Sequence, residues 1–572
     1  MKFGEFATYL ERLEKTSSRL EITSILTDLF KKTDSSEIQK TVYLSLGVLA
    51  PNYEGVLLNL AEKMVIRAVA LAYGKDIQGV TKLYKEKGDV GNVAQELSKG
   101  KSGGLSVLDV YEKLLGIAKD NGEGSQDRKI EKMADLLRNL DPLSARFVAR
   151  IPVGKLRLGF SEKTVIDALA GHDKKIQKEI EEAYNIRPDI GYVARLVKEG
   201  NLKAAKPEVG VPVVPMLAQR LNSTSEMIKK MGEVSVEPKF DGLRIFIHYR
   251  RANYPQKGNA EYIRIYTRNM NFIENNVFPE LSEVGKYLKA NEAIIDTEAV
   301  GIDTKREMFL DFQKTIQRRR KHDVTKTAGE IPLQFQVFDI LLVDGKSMIN
   351  VPYIDRRKVL EKIVVNGGLL RVDENTITQD PEIIKKLHQN YLKMGFEGVV
   401  VKRANGFYVS GRTGWNWVKM KEEEGMKGRL SDTLDCIVMG YFTGKGKRAQ
   451  FGLGKILVGI KDGDKIRTLT KVGTGLTEEM LVTIRKRLDK LESKEEPKEY
   501  EAQKDLIPDV WALPSLVVEV SADSISVSTK HSLGLSLRFP RFLKIREDKS
   551  AGQATTIKEL RDMFSLQKPS QS

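Results

Sequence analysis

A lysine flanked by two carboxylates is the first feature of the sequence that suggests chemistry. It lies in the segment at residues 237–244, which reads Glu-Pro-Lys-Phe-Asp-Gly-Leu-Arg. If residues 234–241 are extended, their side chains alternate between two faces of a strand. One face is then apolar, and the other carries three ionisable groups, those of Glu237, Lys239 and Asp241.

An isolated lysine between acids usually belongs to a solvated surface, but two neighbours favour a different interpretation here. Gly242 permits a sharp change of backbone direction directly after the strand. Arg244 follows at once and adds a second cation beside Lys239. Because clustered cations favour the neutral form of a lysine amine, the segment predicts that Lys239 is a nucleophile.

Two further segments that look like strands carry side chains suited to a nucleotide. In LQFQVFDILL, Phe338 falls on the polar face, where its ring could cover a base, and packing at the strand end is the alternative explanation. In WVKMK, Lys419 and Lys421 share one face, so their two ammonium groups could converge on a phosphate. A solvated run of charges is the alternative explanation there.

Two acidic residues are the candidates for holding a metal ion. Glu298 and Glu397 lie in two different segments that we predict to be strands, and either one alone would be an ordinary surface acid. As a pair they could hold Mg²⁺ through water, because Mg²⁺ prefers oxygen ligands. The chain has five histidines and no His/Cys spacing typical of a metal site. We therefore expect Mg²⁺, with Mn²⁺ as an alternative.

Two basic stretches near the start of the chain could be taken for phosphate-binding segments. The loop around Gly100 contains Gly-Lys-Ser, but the phosphate-loop motif needs a glycine where Gln95 stands, so we predict a connector between helices. The second stretch runs into a helix that begins near Ser161, where backbone N–H groups could hold a phosphate. On composition we instead predict that its cations are solvated, namely Arg150, Lys155 and Arg157.

Composition limits the classes of protein to which the chain can belong. Of its 572 residues, 41% are hydrophobic and 30% are charged, which indicates a folded protein of three or four domains. The net charge of +16 suggests a polyanionic partner such as nucleic acid. No apolar run is long enough to cross a membrane, so we expect no membrane partner. A single cysteine, Cys436, excludes an internal disulfide and a Cys-rich zinc site, and it favours an intracellular protein.

The elements that must position these residues follow from the pattern of apolar residues. Residues 1–205 place them at helical spacing, whereas residues 206–218, rich in Pro and Val, predict an extended linker. β-Branched and aromatic runs then alternate with a few helices, which predicts an α/β (α+β) region with a substantial sheet. From about residue 430, shorter strands at regular spacing predict a small β-barrel. We expect a multidomain chain with domains at 1–210, 211–424 and 425–572.

An ordered set of motifs resembles one known superfamily. Lys239-x-Asp241-Gly242-x-Arg244 resembles the nucleotidyl-lysine motif of the covalent nucleotidyltransferases, which comprise DNA ligases, RNA ligases and mRNA capping enzymes. The other motifs of that superfamily follow in order, at residues 267–269, 296–300, 338–339, 397–402 and 417–421.

Three further segments narrow the resemblance to one family. Residues 508–520 and 536–549 resemble the C-terminal region of the replicative DNA ligases of archaea and eukaryotes, and residues 155–170 resemble their DNA-binding domain. The resemblance covers nearly the whole chain and identifies it as a member of the ATP-dependent DNA ligases of this type. It implies an all-α DNA-binding domain, a nucleotidyltransferase core and an OB-fold barrel.

The resemblance implies a role for each candidate residue. Lys239 would attack the α-phosphate of ATP, Glu237 would contact the adenine, and Phe338 would stack on its ring. Glu298 and Glu397 would lie beside the metal, and Glu298 would also belong to the nucleotide site. Five cations would contact the ribose, the phosphates or the nick, namely Arg244, Arg268, Arg412, Lys419 and Lys421. Two barrel residues would help pyrophosphate leave when the barrel closes over the site, namely Arg538 and Arg541.

The implied function is the sealing of nicks in duplex DNA during replication, recombination and repair. AMP would pass from ATP to the lysine and then to the 5′-phosphate at the nick, and the 3′-hydroxyl would displace it. Nicked double-stranded DNA is the expected partner of a monomer inside the cell, associated with the nucleoid if the source is a prokaryote. A sliding clamp is a further partner of the family, although residues 100–111 contain no clear clamp-binding box. ADP and GTP stay open as alternatives to ATP.

Three other classes of protein share some of these features. An RNA ligase or capping enzyme has the same lysine motif, but the long helical region and residues 536–542 (SLRFPRF) argue against it. A basic nucleic-acid-binding protein without catalysis would acquire no covalent label from ATP. A NAD-dependent ligase is disfavoured because that group usually carries a four-cysteine zinc site and this chain has one cysteine.

Overall fold

The computed structural model describes most of the chain as two units, Met1–Met420 and Lys421–Ser572. The described residues are 1–100, 104–154, 156, 158–171, 173–254, 260–303, 308–310, 315, 318, 328, 330–411, 414–421, 433–444 and 446–566. The predicted domain borders at residues 210 and 424 stay predictions.

The predicted helical region is confirmed by twelve α-helices in the described part of residues 1–205. They are α1 (Phe3–Glu14), α2 (Arg19–Lys32), α3 (Ile38–Leu46), α4 (Glu62–Tyr73), α5 (Ile77–Lys87), α6 (Val90–Leu97), α7 (Val107–Ala118), α8 (Ser125–Arg138), α9 (Pro142–Arg150), α10 (Glu162–Ala170), α11 (Lys174–Ile186) and α12 (Ile190–Lys198). Side chains of Asp or Ser cap many of their N-termini, for example Asp89 at α6 and Asp141 at α9. Gly100 lies between α6 and α7, which agrees with the predicted connector, and residues 101–103 lie outside the described residues.

Arg150 is not a solvated charge, so that prediction is wrong. Its side chain is 1% exposed, and its Nε donates to Asp89 Oδ1 at 3.0 Å. Its other nitrogens donate to Glu14 at 3.0 Å and to Asn92 at 3.2 Å. Composition could not reveal this, because the partners lie on α1 and α6, far away in sequence. Lys155 and Arg157 lie outside the described residues.

Two β-sheets make up the rest of the first unit. The first sheet has the order β1-β13-β12-β2-β11, and the second has the order β10-β8-β6-β3-β4-β5, with β7 beside β6 and β9 beside β8. Their strands are β1 (Gln219–Arg220), β2 (Val234–Pro238), β3 (Leu243–Arg250), β4 (Tyr262–Thr267), β5 (Phe272–Ile273), β6 (Glu292–Asp303), β7 (Met308–Phe309), β8 (Leu333–Val343), β9 (Lys346–Ser347), β10 (Leu370–Val372), β11 (Thr376–Thr378), β12 (Val399–Arg403) and β13 (Trp417–Met420).

Helices cover the apolar face of each sheet, so the polar faces are left for the site. The helices are α13 (Thr224–Met231), α14 (Tyr353–Ile363) and α15 (Pro381–Lys393). Val234, Val236 and Val401 of the first sheet pack with residues of α13 and α15. Residues of α14 pack against the second sheet, with Phe335 and Val337. The predicted alternation of β8 is therefore confirmed, because its apolar side chains enter this core.

The second unit is rich in β-structure, as predicted. Its strands are β14 (Leu434–Phe442), β15 (Lys455–Asp462), β16 (Lys465–Val472), β17 (Glu492–Ser493), β18 (Tyr500–Glu501), β19 (Val510–Ala512), β20 (Val517–Ser521), β21 (Ser524–Val527), β22 (Leu535–Arg538) and β23 (Arg541–Ile545). Two helices accompany them, α16 (Glu478–Asp489) and α17 (Ile557–Leu566). Strand pairing runs from β16 through β15, β14 and β20 to β23. A bridge from Thr474 to Arg541 links the two ends of that path.

We predict that Arg150→Ala destabilises the protein by about 3–5 kcal/mol, because it removes the buried cation that pairs with the buried carboxylate of Asp89. The loss is measured as the free energy of unfolding in urea. Arg138→Ala is the matched control, since the side chain of Arg138 on α8 is 49% exposed and its ion pair spans 3.7 Å. The control should change stability by less than about 1 kcal/mol, and equal losses in both variants would contradict the prediction.

Candidate functional site

The candidate site lies between the polar faces of the two sheets of the first unit. In the first sheet, Glu237 of β2 pairs with Val400 of β12, which pairs with Lys419 of β13. In the second sheet, Arg244 of β3 pairs with Glu298 of β6. Residues that are paired across neighbouring strands point to the same face of a sheet. Strand pairing therefore brings together side chains that are far apart in sequence.

Lys239 directly follows β2 and is held by its backbone and by its amine. Its backbone N–H donates to the carbonyl oxygen of Gly398 at 2.9 Å, and its own carbonyl accepts from the N–H of Glu397 at 2.9 Å. Its Nζ lies 2.5 Å from Glu397 Oε2, and both side chains are 20% exposed. The amine is thus fixed in place and still open to solvent, as a nucleophile that must meet a substrate has to be.

Glu397 was expected on a strand, and it lies instead in the turn that precedes β12. The following residue, Gly398, has a φ of 133°, a conformation that a residue with a side chain rarely adopts. This turn brings the Glu397 carboxylate to the amine of Lys239.

Gly242 is needed for close packing rather than for a left-handed turn. A Cβ atom at this position would lie 2.4 Å from the carbonyl oxygen of Ala299 on β6. The start of β3 can therefore approach β6 only if residue 242 has no side chain. The prediction that a glycine matters here is confirmed, but the reason for it is a contact that the sequence could not reveal.

Arg244 is tied to the buried carboxylate of Asp296. Its Nε and Nη2 donate to the two carboxylate oxygens at 3.0 and 2.6 Å, and its Nη1 donates to the carbonyl oxygen of Met216 at 2.7 Å. The guanidinium lies 5.5 Å from the ring centroids of both Phe338 and Trp417. Burial raises the pKa of Asp296, and Arg244 opposes that rise. A bidentate pair of this kind fixes the plane of the guanidinium.

Glu237 is buried within a polar network and has no solvated face. Its side chain is 1% exposed, and its Oε2 lies 2.5 Å from Nζ of Lys402, which is equally buried. Its Oε1 accepts from the hydroxyls of Ser235, at 3.1 Å, and of Tyr353 on α14. Lys402 also donates to the carbonyl oxygen of Phe338 at 2.9 Å. The network therefore joins the two sheets and α14.

Phe338 lies on the polar face of β8, as predicted, and it is only partly buried. Its ring meets that of Trp417 edge-on, with 5.9 Å between the centroids. A ring held on one side by another aromatic side chain can offer its open face to a flat ligand.

Glu298 is an acid of the site whose negative charge is incompletely compensated. Burial raises its pKa to about 7, Asp296 and Glu397 add to the rise, and Lys239 and Arg244 oppose it. The negative charge of each carboxylate disfavours ionisation of the neighbouring carboxylates. A divalent cation would offset that repulsion, and oxygen donors are the ligands that Mg²⁺ prefers. Glu298 and Glu397 thus fit a metal ion, although the described residues contain no group of three or more possible ligands.

The remaining predicted residues occupy different parts of the chain. Lys419 lies on β13, in the row that contains Glu237, and Lys421 is the first residue of the second unit. Arg268 is exposed directly after β4, in a turn where Met270 has a φ of 62°. Arg412 lies outside the described residues.

Arg538 and Arg541 lie in the second unit, on either side of an exposed turn. Arg538 ends β22 and Arg541 begins β23, while Phe539 between them has a φ of 51° and is 60% exposed. The carbonyl of Arg538 accepts from the N–H of Asp523, whose carboxylate lies 3.9 Å from the guanidinium of Arg541.

Three residues of the site were not singled out from the sequence, namely Tyr353, Asp296 and Lys402. Asp296 and Lys402 stand within the quoted motifs, so their presence there was the available signal. Tyr353 had none, because it belongs to a helix that reaches the site only in the folded chain.

The arrangement can support a reaction in which an amine attacks a phosphate. It combines an accessible lysine with an aromatic face, a fixed guanidinium and a pair of carboxylates suited to a metal ion. These are the groups that phosphoryl transfer requires, because such reactions depend mainly on positioning and on charge compensation.

Three protein-family models, each describing one region of DNA ligases, match the chain. The DNA ligase N terminus matches residues 2–170, the ATP dependent DNA ligase domain matches residues 215–421, and the ATP dependent DNA ligase C terminal region matches residues 449–549. The "Probable DNA ligase" of Dictyoglomus turgidum is 40% identical over 99% of this chain and 98% of its own length. "DNA ligase 1" of Methanosarcina mazei is 36% identical over 98% of this chain and 99% of its own.

A solved structure titled "Pmar-Lig_PreS3" supports the fold. It is 19% identical to this chain, covers 95% of it and 99% of its own length, and superposes with a TM-score of 0.53.

The fold and the site therefore define an enzyme of the DNA ligase class. The chain belongs to the family of ATP-dependent DNA ligases, as the sequence motifs indicated. No helix among the residues that the structure describes is long and apolar enough to cross a membrane.

We predict that Glu298→Gln stabilises the protein at pH 8 and not at pH 5, in the absence of ATP and metal. Between the ordinary glutamate pKa and about 7, the folded carboxyl keeps a proton that the unfolded chain has released. Its contribution to stability therefore falls as the pH rises through that window. Removing the charge should recover about 1–2 kcal/mol at pH 8, after allowance for partial exposure.

Unfolding in urea at both pH values tests this prediction. Glu283→Gln is the control, because the Glu283 side chain is 58% exposed in an ion pair with Lys286. The same difference between Glu298→Gln and the native protein at pH 5 and pH 8 would contradict it.

Proposed function

We propose that this ligase seals nicks in duplex DNA through an AMP group carried on Lys239. The observation that supports this most directly is the amine of Lys239, which is partly exposed and lies 2.5 Å from Glu397 between the polar faces of the two sheets. Family membership supplies the reaction, and this geometry supplies the candidate for the nucleophile.

In the first step, Nζ of Lys239 attacks the α-phosphorus of ATP. A nitrogen–phosphorus bond forms, the bond to the bridging oxygen breaks, and pyrophosphate leaves with the electron pair. The amine must lose its proton before it attacks, and Glu397 is the carboxylate that contacts it. Arg244 and Lys419 are placed to offset negative charge on the phosphate or to bind the ribose.

In the two later steps, AMP leaves the lysine and is then displaced at the nick. The 5′-phosphate oxygen attacks the AMP phosphorus, which releases the lysine amine and turns the phosphate into a good electrophile. The 3′-hydroxyl then attacks the 5′-phosphorus, and AMP departs. Arg268, exposed after β4, is the candidate for contact with the nick phosphate, and Arg412 remains a candidate from the family resemblance alone.

For the adenosine part of ATP, the assigned groups are Glu237 and Phe338. Phe338 presents a partly exposed ring on the polar side of its strand, and Glu237 offers a carboxylate fixed by three donors. A fixed acceptor and a fixed ring need little reorganisation when a base binds.

Mg²⁺, or Mn²⁺ in its place, would be held by Glu298 and Glu397, with water completing its coordination. When bound, it offsets charge on the triphosphate. Because Glu397 also pairs with Lys239, a metal at this carboxylate would compete with that pair and free the amine.

The second unit is proposed to be an OB-fold barrel that supplies cations to the reaction. The path of paired strands from β16 to β23, linked by the bridge at Thr474, supports this assignment. Arg538 and Arg541 stand on either side of an exposed turn, where they could meet pyrophosphate or the nick.

Nicked double-stranded DNA is the proposed partner, bound by a monomer in the compartment that holds the genome. The net charge of +16 supports binding through phosphates with little reading of sequence. A sliding clamp remains a proposed partner without an assigned contact. The helical region, residues 1–210, is proposed to bind the duplex.

We predict that Lys239→Ala abolishes covalent labelling by ATP that is radioactive at the α-phosphate. Labelling should fall by at least about a thousandfold, because the nitrogen that would carry AMP is absent. Mass spectrometry of the native protein should find the AMP adduct at residue 239. Lys358→Ala is the control, because Lys358 is 69% exposed on α14, and it should label normally.

A second measurement distinguishes the sealing of DNA nicks through lysyl-AMP from the alternative reactions. The Lys239→Ala variant should still seal a nick that already carries AMP on its 5′-phosphate, since that step needs no lysyl intermediate. Sealing of an ordinary nick from ATP by this variant would overturn the proposal. Faster sealing of nicked RNA than of nicked DNA by the native protein would instead favour an RNA ligase.

We also predict that the dissociation constant for a nicked duplex rises at least about a thousandfold between 50 and 200 mM salt, as for proteins that contact several phosphates. The constant is measured by fluorescence anisotropy. An affinity that does not depend on salt would contradict binding through phosphates.

A further inference from the structure

Lys402 contacts both residues that the proposed function assigns to the base. Its Nζ lies 2.5 Å from the carboxylate of Glu237 and donates to the backbone carbonyl of Phe338 at 2.9 Å. The ammonium is also surrounded by rings, with the centroids of Tyr353 at 4.6 Å and of Phe338 and Trp417 at 4.9 Å. One side chain thus connects the first sheet to β8 of the second.

Glu237 is held in one orientation by donors from three elements. Its Oε1 accepts from Ser235 of its own strand and from Tyr353 of α14, and its Oε2 faces Lys402 of β12. The Ser235 oxygen in turn accepts from the side-chain amide of Asn375 at 3.1 Å. Because the donors come from separate elements, the carboxylate cannot rotate without breaking several hydrogen bonds.

Stability alone is a poor explanation for a buried ion pair at this place. Lys402 and Glu237 are both 1% exposed, and the cost of removing two charges from water often equals what their attraction returns. Apolar side chains of similar volume would fill the same space without that cost. The pair therefore points to a task that needs a charge at the position of Glu237.

We propose that Lys402 is a positioning residue that makes the base site select adenine over guanine. This inference rests on the proposed function, which assigns Glu237 and Phe338 to the base. Lys402, Ser235 and Tyr353 all present donors to Glu237, so its carboxylate serves as a hydrogen-bond acceptor. The 6-amino group of adenine donates to such an oxygen, whereas the 6-oxo group of guanine turns lone pairs towards it. Lys402 also fixes the backbone of Phe338, and with it the place of the ring.

The test is the variant Lys402→Met, which keeps an unbranched side chain one atom shorter and removes its charge. Without its cation, the carboxylate of Glu237 loses the partner that fixes its orientation, so the fixed acceptor is removed. The measurement is the covalent labelling of the full-length protein by ATP and by GTP, each radioactive at the α-phosphate. We expect the ratio of kcat/KM for ATP to that for GTP to fall about tenfold or more, mainly through a higher KM for ATP.

Two controls distinguish positioning from damage to the fold. The dissociation constant for an ordinary nicked duplex should stay within about threefold of the native value in Lys402→Met, since the proposed phosphate contacts of the duplex do not involve the base site. Tyr353→Phe removes one donor to Glu237 and keeps the cation, so its ratio should fall in the same direction by a smaller factor. This milder variant carries the test alone if Lys402→Met does not fold.

The outcomes also separate this inference from the function on which it rests. If Lys402→Met folds and keeps the native preference for ATP over GTP, the inference is overturned and Lys402 is structural. The same conclusion follows if Tyr353→Phe, tested alone, leaves the ratio unchanged. If instead the native protein acquires no label at Lys239 from either nucleotide, the proposed function itself fails.

Discussion

Charged side chains can lie between two packed sheets only if each meets a partner, and this constraint shapes the whole site. Arg244 of one strand meets Asp296 of the next, and Lys402 of the first sheet meets Glu237 beside it. Lys402 also donates to the second sheet. Each ion pair lies within one sheet, and the hydrogen bond from Lys402 to Phe338 joins the two sheets, so sliding one sheet past the other would break a hydrogen bond of a buried cation. The spacing of the sheets sets the width of the space that a nucleotide must enter.

The surroundings of Glu298 contain too little positive charge to compensate its carboxylate. Glu298 lies near Lys239 and Arg244, yet burial and two nearby carboxylates raise its pKa to about 7. Its neighbours are already committed, since Arg244 holds Asp296 and Lys239 holds Glu397. A binding site for a metal ion and a triphosphate should have this property, because the cation arrives with the substrate. The uncompensated charge lowers the stability of the free protein, and binding of the metal ion and the triphosphate would restore that stability.

The sequence predicted the parts of the site that are local in the chain. Alternation along a strand placed Phe338 on the polar face, and the motif around Lys239 identified the nucleophile candidate. It could not predict contacts between distant elements. Gly242 is required by a carbonyl of β6, Tyr353 arrives from α14, and Arg150 is buried by carboxylates from two other helices. Each of these depends on three-dimensional packing that no single segment encodes.

The site thus contains polar groups whose partners are fixed and polar groups whose partners can be exchanged. The two kinds suit different tasks. Glu237 is held by fixed donors and is almost wholly buried, so displacing one of its partners would cost free energy. Lys239 and Glu397 are paired with each other and are each 20% exposed, so a metal or a phosphate can take the place of either partner. Rigid groups suit the recognition of a base that must be the same in every turnover. Groups whose partners can be exchanged suit Lys239. Its amine must be protonated, then neutral, and then bonded to phosphorus during one reaction cycle.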